Sequence, residues 1–294
     1  MTAFVTGGAG FAGRHLLALL GPDAVAPPRE ELELLDPEAV RAALAAAEPE
    51  LVVHLAALAS VGRSWHDPRA TVTENIEMSL NLLEAVRLEA PAATVVLAGS
   101  GEVYGPPERL PLDESAPLRP QSPYAVAKAA CELLGGQYAD AHGLRVVRTR
   151  AFNHAGPGQT DDYLVGTLTR QVAEAEAAGA DEVVLRTGNP DSARDFTDVR
   201  DVVRAYVAAA ELEPGVYNVC SGRSLSVREL VELVRAEARL PVRHEVHPAR
   251  VRPHDVPVIV GSAERFRAAS GWIPEIPIER TVADALDARR APAR

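Results

Sequence analysis

Tyr124 and Lys128 stand four residues apart, which sets a phenol and an ammonium side by side on one face of a helix. Lys128 is the only lysine in the chain; the rest of the Lys+Arg total of 30 is arginine. Arginine is a planar fork that stays charged, whereas lysine is a compact point charge on a flexible stem. A cation beside a phenol favours the phenolate. The pair is therefore expected to hold Tyr124 below its ordinary pKa, as a proton donor or acceptor near neutral pH. Ser122 reads as an N-cap and Pro123 as the first helical residue. The plain alternative is an incidental surface Tyr and Lys.

A second chemistry-bearing stretch lies at the start of the chain. Gly8, Gly10 and Gly13 fit G-x-G-x-x-G, and Gly7, Gly10 and Gly13 fit the wider G-x-x-G-x-x-G. Either spacing allows a tight turn, close approach of backbone to a pyrophosphate, and close helix packing. The motif follows the apolar run Thr2 to Thr6 and opens the helical run Arg14 to Leu20, whose N-terminus offers N–H groups to phosphate. After Gly21, a weak strand near Ala24-Val25-Ala26 ends in Pro27-Pro28-Arg29. An acidic residue there would hold the ribose 2′-hydroxyl of NAD(H); none is present, and Arg29 can meet a 2′-phosphate. NADP(H) is favoured and NAD(H) stays possible, since Arg29 is equally a solvated loop charge.

The elements that must position these groups alternate regularly. Glu31 to Leu35 reads as a third strand, and Asp36-Pro37 opens a helix to Ala47. Leu51 to Ala57 reads as a strand buried on both faces, with small residues at its end and His54 as a packed core histidine. A helix follows from about Thr71 to Glu89, with Asn75 near its start, then a strand from Thr94 to Leu97. The Tyr/Lys helix extends to His142 with Gly143 as its C-cap, and Leu144 to Phe152 is the next strand. Gly135-Gly136 costs that helix propensity, so close packing against a neighbour is expected. Strand-helix alternation of this kind predicts an α/β fold with a doubly wound parallel sheet.

A net charge of −11 over 294 residues argues against nucleic acid as partner. An anionic substrate would have to be met by a local arginine cluster. The absence of an apolar run of membrane-spanning length, and of a signal-like N-terminus, predicts no membrane and a cytoplasmic protein. Cys131 and Cys220 fit free thiols in a reducing compartment. His244 and His247 lack the ligand spacing of a metal site and read as surface residues.

Gly7-x-x-Gly10-x-x-Gly13, Ser100 ahead of Val103-Tyr104-Gly105, and Tyr124-x-x-x-Lys128 resemble the extended short-chain dehydrogenase/reductases that act on nucleotide sugars. Arg150-Ala151-Phe152-Asn153-His154-Ala155-Gly156-Pro157-Gly158-Gln159 is similar to a segment of the GDP-4-keto-6-deoxy-D-mannose reductase group, which forms GDP-D-rhamnose; Ala151 replaces the usual proline. Gly188-Asn189, Arg194 to Asp201, Tyr217 to Gly222 and Pro248 to Pro257 are similar to the same group. The resemblance implies Tyr124 as acid/base, Lys128 on the nicotinamide ribose lowering the Tyr124 pKa, and Ser100 on the reacting oxygen. It implies a cofactor site from Gly7, Gly10, Phe11, Ala12, Gly13, Arg29, Glu33, Leu34, Leu55, Ala56, Ala57, Asn75, Tyr124, Lys128 and Ala151. The GDP-sugar would meet Ser100, Asn153, Gly188, Asn189, Arg194, Arg252 and Asp255. Arg250 joins Arg194 and Arg252 as a candidate for clamping a diphosphate. His154 touches the sugar or packs behind it.

The implied architecture is a Rossmann cofactor domain of residues 1–155, rejoined near 190–214, with a smaller α/β substrate lobe from about 156–189 and 215–294. A homodimer through the helices around 71–90 and 122–142 is implied as well. The implied reaction is hydride transfer from NAD(P)H to the C4 ketone of a GDP-4-keto-6-deoxyhexose. Glu102 stands two residues beyond Ser100, where the family's dehydratases carry the glutamate that abstracts a C5 proton. A GDP-mannose 4,6-dehydratase is therefore the alternative, with a sugar epimerase behind it. A non-catalytic nucleotide-binding regulator would be expected to lose Tyr124 or Lys128.

Overall fold

The computed structural model describes residues 2–251 and 256–291. The fully buried β1 (Ala3–Thr6) runs into the glycine turn and α1 (Phe11–Leu20). α2 (Pro37–Ala47) begins where the Asp36 carboxylate accepts the Glu38 and Ala39 amides, with Pro37 in its first turn. Then come β2 (Leu51–His54), the one-turn α3 (Val61–Ser64) and the long α4 (Pro68–Glu89). β3 (Thr94–Ser100) leads into a 3-10 turn, Gly101–Tyr104. α5 (Pro123–His142) starts where the Ser122 hydroxyl accepts the Ala125 amide and ends at Gly143 with φ 69°. β4 (Arg145–Ala151) follows.

The second half is assembled from shorter pieces. β5 (Asn153–Ala155), α6 (Leu164–Ala177), β6 (Val183–Thr187) and β7 (Ala193–Asp198) precede α7 (Val199–Ala209) and β8 (Gly215–Val219). After them come β9 (Ser224–Ser226), α8 (Val227–Glu237), β10 (Val242–Val246), β11 (Val258–Ile259), α9 (Glu264–Ser270) and α10 (Ile278–Arg290).

The main sheet has five parallel strands in the order β1-β2-β3-β4-β8. Val25 adds one parallel bridge to Phe4 on the free side of β1. The chain thus departs from β1 to both sides, and in open parallel sheets ligands bind outside the carboxyl ends of the strands at such a switch point. Leu16 of α1 with Val202 and Tyr206 of α7 pack on one face; Leu44 of α2, Leu82 of α4 and Tyr138 of α5 pack on the other. With both faces covered, β1, β2 and the start of β3 are largely apolar, as a parallel sheet requires, while β4 carries Arg145, Arg148 and Arg150.

Two expectations fail. Glu31 to Leu35 is a pair of turns, not a strand. Leu32 and Leu34 are buried as a strand's alternation would bury them. The backbone, however, is satisfied locally: Pro28 O accepts from Glu31 and Leu32, and the Asn81 side chain donates to Leu34 O at 2.9 Å. Alternation specifies which side chains go inward, not whether a partner strand is there. The sheet also extends past residue 214, since β8 pairs with β4 through Val147–Ala151, while β7 joins a small sheet with β5, β9 and β11. Proximity in the chain does not decide which sheet edge is open.

Gly135 and Gly136 meet their expectation. A Cβ on Gly135 would lie 2.4 Å from Leu97 Cδ1, and one on Gly136 would lie 2.3 Å from Arg148 Nη1. The glycine pair lets α5 sit directly on β3 and β4. No helix among the described residues is long and apolar enough to cross a membrane.

Candidate active site

The glycine turn is shaped by contact, not by flexibility alone. Gly7 has φ 73°, and a Cβ there would lie 2.7 Å from the Ala56 amide nitrogen. On Gly13 a Cβ would lie 2.2 Å from Gly7 O, so the turn and the first turn of α1 close on each other only without side chains. The α1 N-terminus at Gly10 has no side-chain cap, and its amides are left for a ligand. Phe11 and Ala12 begin this helix, and Leu55, Ala56 and Ala57 form the half-buried opposite wall. These residues fit a dinucleotide pyrophosphate, with backbone donors on one side and small side chains on the other.

Asn75 acts on that wall from beneath. Its Oδ1 accepts the Leu58 amide at 2.8 Å and its Nδ2 donates to Leu58 O at 3.3 Å. His54 lies deeper, its Nδ1 2.7 Å from Thr6 Oγ1 and its Nε2 3.1 Å from Ser79 Oγ. Ser79 spends its hydroxyl proton on Asn75 O, so His54 Nε2 carries the proton and Thr6 donates to Nδ1. Burial first, and then the Lys128 charge, lower the His54 pKa to about 3. It is the packed core histidine expected, held neutral. Arg29 is exposed on the loop after the Val25 bridge, 3.5 Å from Glu33, in a pair weak enough to release the guanidinium at little cost.

The reactive groups meet at the carboxyl end of β3. Ser100, Tyr124 and Lys128 are 7%, 9% and 7% exposed, so all three are withdrawn from bulk water. Ser100 adjoins the Tyr124 phenol closely enough to act on its pKa, and its side chain accepts the Glu102 amide at 3.2 Å. Ala151 stands opposite Ser100 in the β3–β4 register. Lys128 donates from Nζ to Ala98 O at 2.8 Å.

The expected lowering of the Tyr124 pKa is overturned. Burial pushes the phenol above its ordinary value; Ser100 works against this, and Tyr163, Glu102 and Tyr206 add to the rise. Lys128 is turned toward Ala98 and acts on His54 instead, and its own pKa is lowered by burial. Desolvation outweighs the cation because the ammonium is aimed elsewhere. The result is a phenol that keeps its proton at neutral pH.

The substrate-side residues are spread more widely. Asn153 is exposed where the chain leaves the main sheet and pairs β5 with β7. His154, next to it, stacks on Phe11 with ring centroids 5.8 Å apart, behind the glycine turn. Arg194 on β7 donates to Ala193 O and Val256 O. Gly188 is pressed against the Arg250 backbone, where a Cβ would lie 2.3 Å from Arg250 O, and Asn189 accepts the Asp191 amide. The Arg250 guanidinium donates to Arg186 O at 2.6 Å. Arg252 and Asp255 lie outside the described residues. Sequence reading missed Tyr163 and Tyr206, both electrostatically coupled to Tyr124. Neither belongs to a spaced motif, and only the packing of α6 and α7 brings them there. No His, Cys, Asp or Glu cluster among the described residues could hold a metal ion.

A doubly wound sheet with a phosphate-shaped glycine turn and a Ser–Tyr–Lys group beside it defines a nicotinamide-dependent oxidoreductase. The chain belongs to the GDP-mannose 4,6 dehydratase family, whose sequence model matches residues 30–285. It is 38% identical to the GDP-6-deoxy-D-mannose reductase of Pseudomonas aeruginosa over 95% of this chain and 94% of that protein. The solved structure of RMD from Pseudomonas aeruginosa complexed with NADPH is similar at a TM-score of 0.87 and 33% identity, covering 99% of both chains. The UDP-glucose 4-epimerase of Thermus thermophilus in complex with NAD is similar at a TM-score of 0.88 and 32% identity, over 100% of both chains.

Proposed function

We propose that the protein reduces the C4 ketone of GDP-4-keto-6-deoxy-D-mannose to give GDP-D-rhamnose, with NADPH favoured over NADH as reductant. The observation that carries this is the joint burial of Ser100, Tyr124 and Lys128 at the carboxyl end of β3, in a chain similar along nearly its whole length to a GDP-6-deoxy-D-mannose reductase. The reduced nicotinamide supplies the hydride. Tyr124, protonated at neutral pH because it is desolvated, gives its proton to the oxygen that becomes an alkoxide. Ser100 donates to the same oxygen and so stabilises charge where it develops. Lys128, its Nζ held on Ala98 O, is the residue that meets the nicotinamide ribose.

The glycine turn, α1 and the Leu55–Ala57 wall hold the cofactor, with Arg29 aimed at a 2′-phosphate. Residues 1–155 with α7 and β8 form the cofactor part; about 156–189 and the chain after β8 form the sugar-nucleotide part, to which Asn153, Gly188, Asn189, Arg194, Arg252 and Asp255 contribute. Leu80 and Leu88 of α4 and Val126 and Leu133 of α5 are exposed, which supports a homodimer through these helices. The free, buried Cys131 and Cys220 suit a reducing cytoplasm.

Glu102 favours one second reading. It is half-buried in the turn after Ser100 and acts electrostatically on Tyr124, where a base for C5 proton abstraction would stand. Stoichiometry separates the two. A reductase given the 4-keto-6-deoxy sugar oxidises one NADPH per sugar; a dehydratase given GDP-mannose forms the keto sugar with no net NADPH loss. Turnover of GDP-mannose alone, with the keto sugar left unreduced, would overturn the reductase assignment.

A further inference from the structure

One turn beyond Lys128 on α5, Glu132 lies in the sheet-facing wall and is 6% exposed, as is its partner Arg150 on β4. Both Glu132 oxygens are taken by one guanidinium: Arg150 Nε donates to Oε2 at 2.8 Å and Nη2 to Oε1 at 2.6 Å. The third nitrogen, Nη1, donates to the Tyr104 hydroxyl at 2.7 Å and to Glu114 O at 3.3 Å. Tyr104 passes its own proton to Asn218 Oδ1 at 2.7 Å, and Asn218, opposite Arg150 in the β4–β8 register, donates to Leu112 O and Ser262 O.

Three members of this network stand near a reactive group. Glu132 is on the helix of Tyr124 and Lys128. Tyr104 ends the 3-10 turn that begins just after Ser100 and contains Glu102. Arg150 precedes Ala151, which stands opposite Ser100. Proximity of charge alone does not explain the pairing. Arg148 also faces α5 from β4, yet its buried Nε makes no hydrogen bond.

A buried ion pair is weak evidence for stability, because desolvation offsets most of its attraction and an apolar replacement of similar size is often as stable. What it supplies that apolar contact does not is direction. The Gly135–Gly136 contact sets how closely α5 approaches the sheet, but smooth surfaces leave the helix free to rotate and slide. A two-pronged guanidinium–carboxylate pair removes both freedoms. We propose that Glu132, Arg150 and Tyr104 are positioning residues that hold the catalytic helix in register with the carboxyl ends of β3 and β4, so that kcat depends on this network. The proposal rests on the reductase reading with Tyr124 as its acid.

The test compares Tyr104→Phe, Glu132→Gln and the double variant Glu132→Met/Arg150→Met with Tyr124→Phe, each assayed well below its melting temperature. The network variants are expected to lose roughly 10- to 100-fold in kcat, as displacements near 1 Å do, with the NADPH Kd within about twofold of the parent. In the double Met variant the melting temperature should recover relative to Glu132→Gln while kcat stays low, which a purely structural pair would not produce. Glu176→Gln, which breaks the shielded Glu176–Arg290 pair joining α6 to α10, should lower the melting temperature with kcat unchanged. Parental kcat in Tyr104→Phe, or in a folded double Met variant, would overturn the proposal; Tyr104→Phe decides if the Met pair does not fold. An active Tyr124→Phe would instead sink the reductase site itself.

Discussion

Successive turns of α5 bury charge in opposite ways. Tyr124 and Lys128 are desolvated with no carboxylate or guanidinium paired to them among the described residues. Burial accordingly moves both away from their ordinary pKa values, the phenol up and the ammonium down. One turn later Glu132 is buried to a similar degree but gives both oxygens to Arg150. Burial alone opposes the Arg150 charge, and Glu132 and Tyr104 more than restore it, so its pKa ends above the ordinary value. Unpaired burial makes a group reactive, and paired burial makes it rigid. One helix carries both because its sheet-facing side repeats every four residues.

The contrast is broken most severely by Tyr124→Phe. Removing the hydroxyl should cut kcat about a thousandfold while leaving NADPH binding nearly intact, read by steady-state rates and cofactor titration. Because Tyr124 is pushed up, reduction should not weaken through neutral pH, and the acid form should be lost only above the ordinary phenol range. A rate that falls between pH 6 and pH 8 for want of a proton on Tyr124 would contradict this.

Lys128→Met sharpens the comparison from the stability side. A Lys whose folded pKa is lowered leaves the unfolded state binding more protons just below 10.5, so stability rises with pH there. The Met variant should lose that slope, melt about 2 °C higher at neutral pH, and turn over far more slowly. His54 gives an effect of the same sign in acid. Between about 3 and 6.5 the unfolded chain takes a proton that the folded chain refuses, so stability falls as pH drops through that window. Acid titrations followed by circular dichroism should show a shallower fall in His54→Gln. The smallest effect is expected of Arg29→Ala: a several-fold rise in KM for NADPH with KM for NADH unchanged, since one exposed cation contributes about 1 kcal/mol or less.

The readability of the site divides along the same line. The Tyr124–Lys128 spacing, the Ser122 cap, the Gly143 stop and the glycine turn are local, so residue type and interval suffice to predict them, and the structure has α5 and α1 where expected. The Gly135–Gly136 pair even announced its close packing. The direction of the Tyr124 shift was not readable, because it depends on how much water the fold removes and on which way Lys128 turns. The false strand at Glu31 to Leu35 failed for a related reason, since apolar alternation says nothing of an available partner.

By itself the chain's order of residues determined the strand–helix alternation of the doubly wound plan, the glycine turn and the Tyr124–Lys128 spacing on one helix, because each depends on neighbours within one or two turns. Only the tertiary structure decided that β8 closes the main sheet, that Tyr163 and Tyr206 bear on Tyr124, and that Glu132 chooses Arg150 over Arg148. Those outcomes depend on solvent exclusion and on contacts between distant segments, quantities that no interval along the chain encodes.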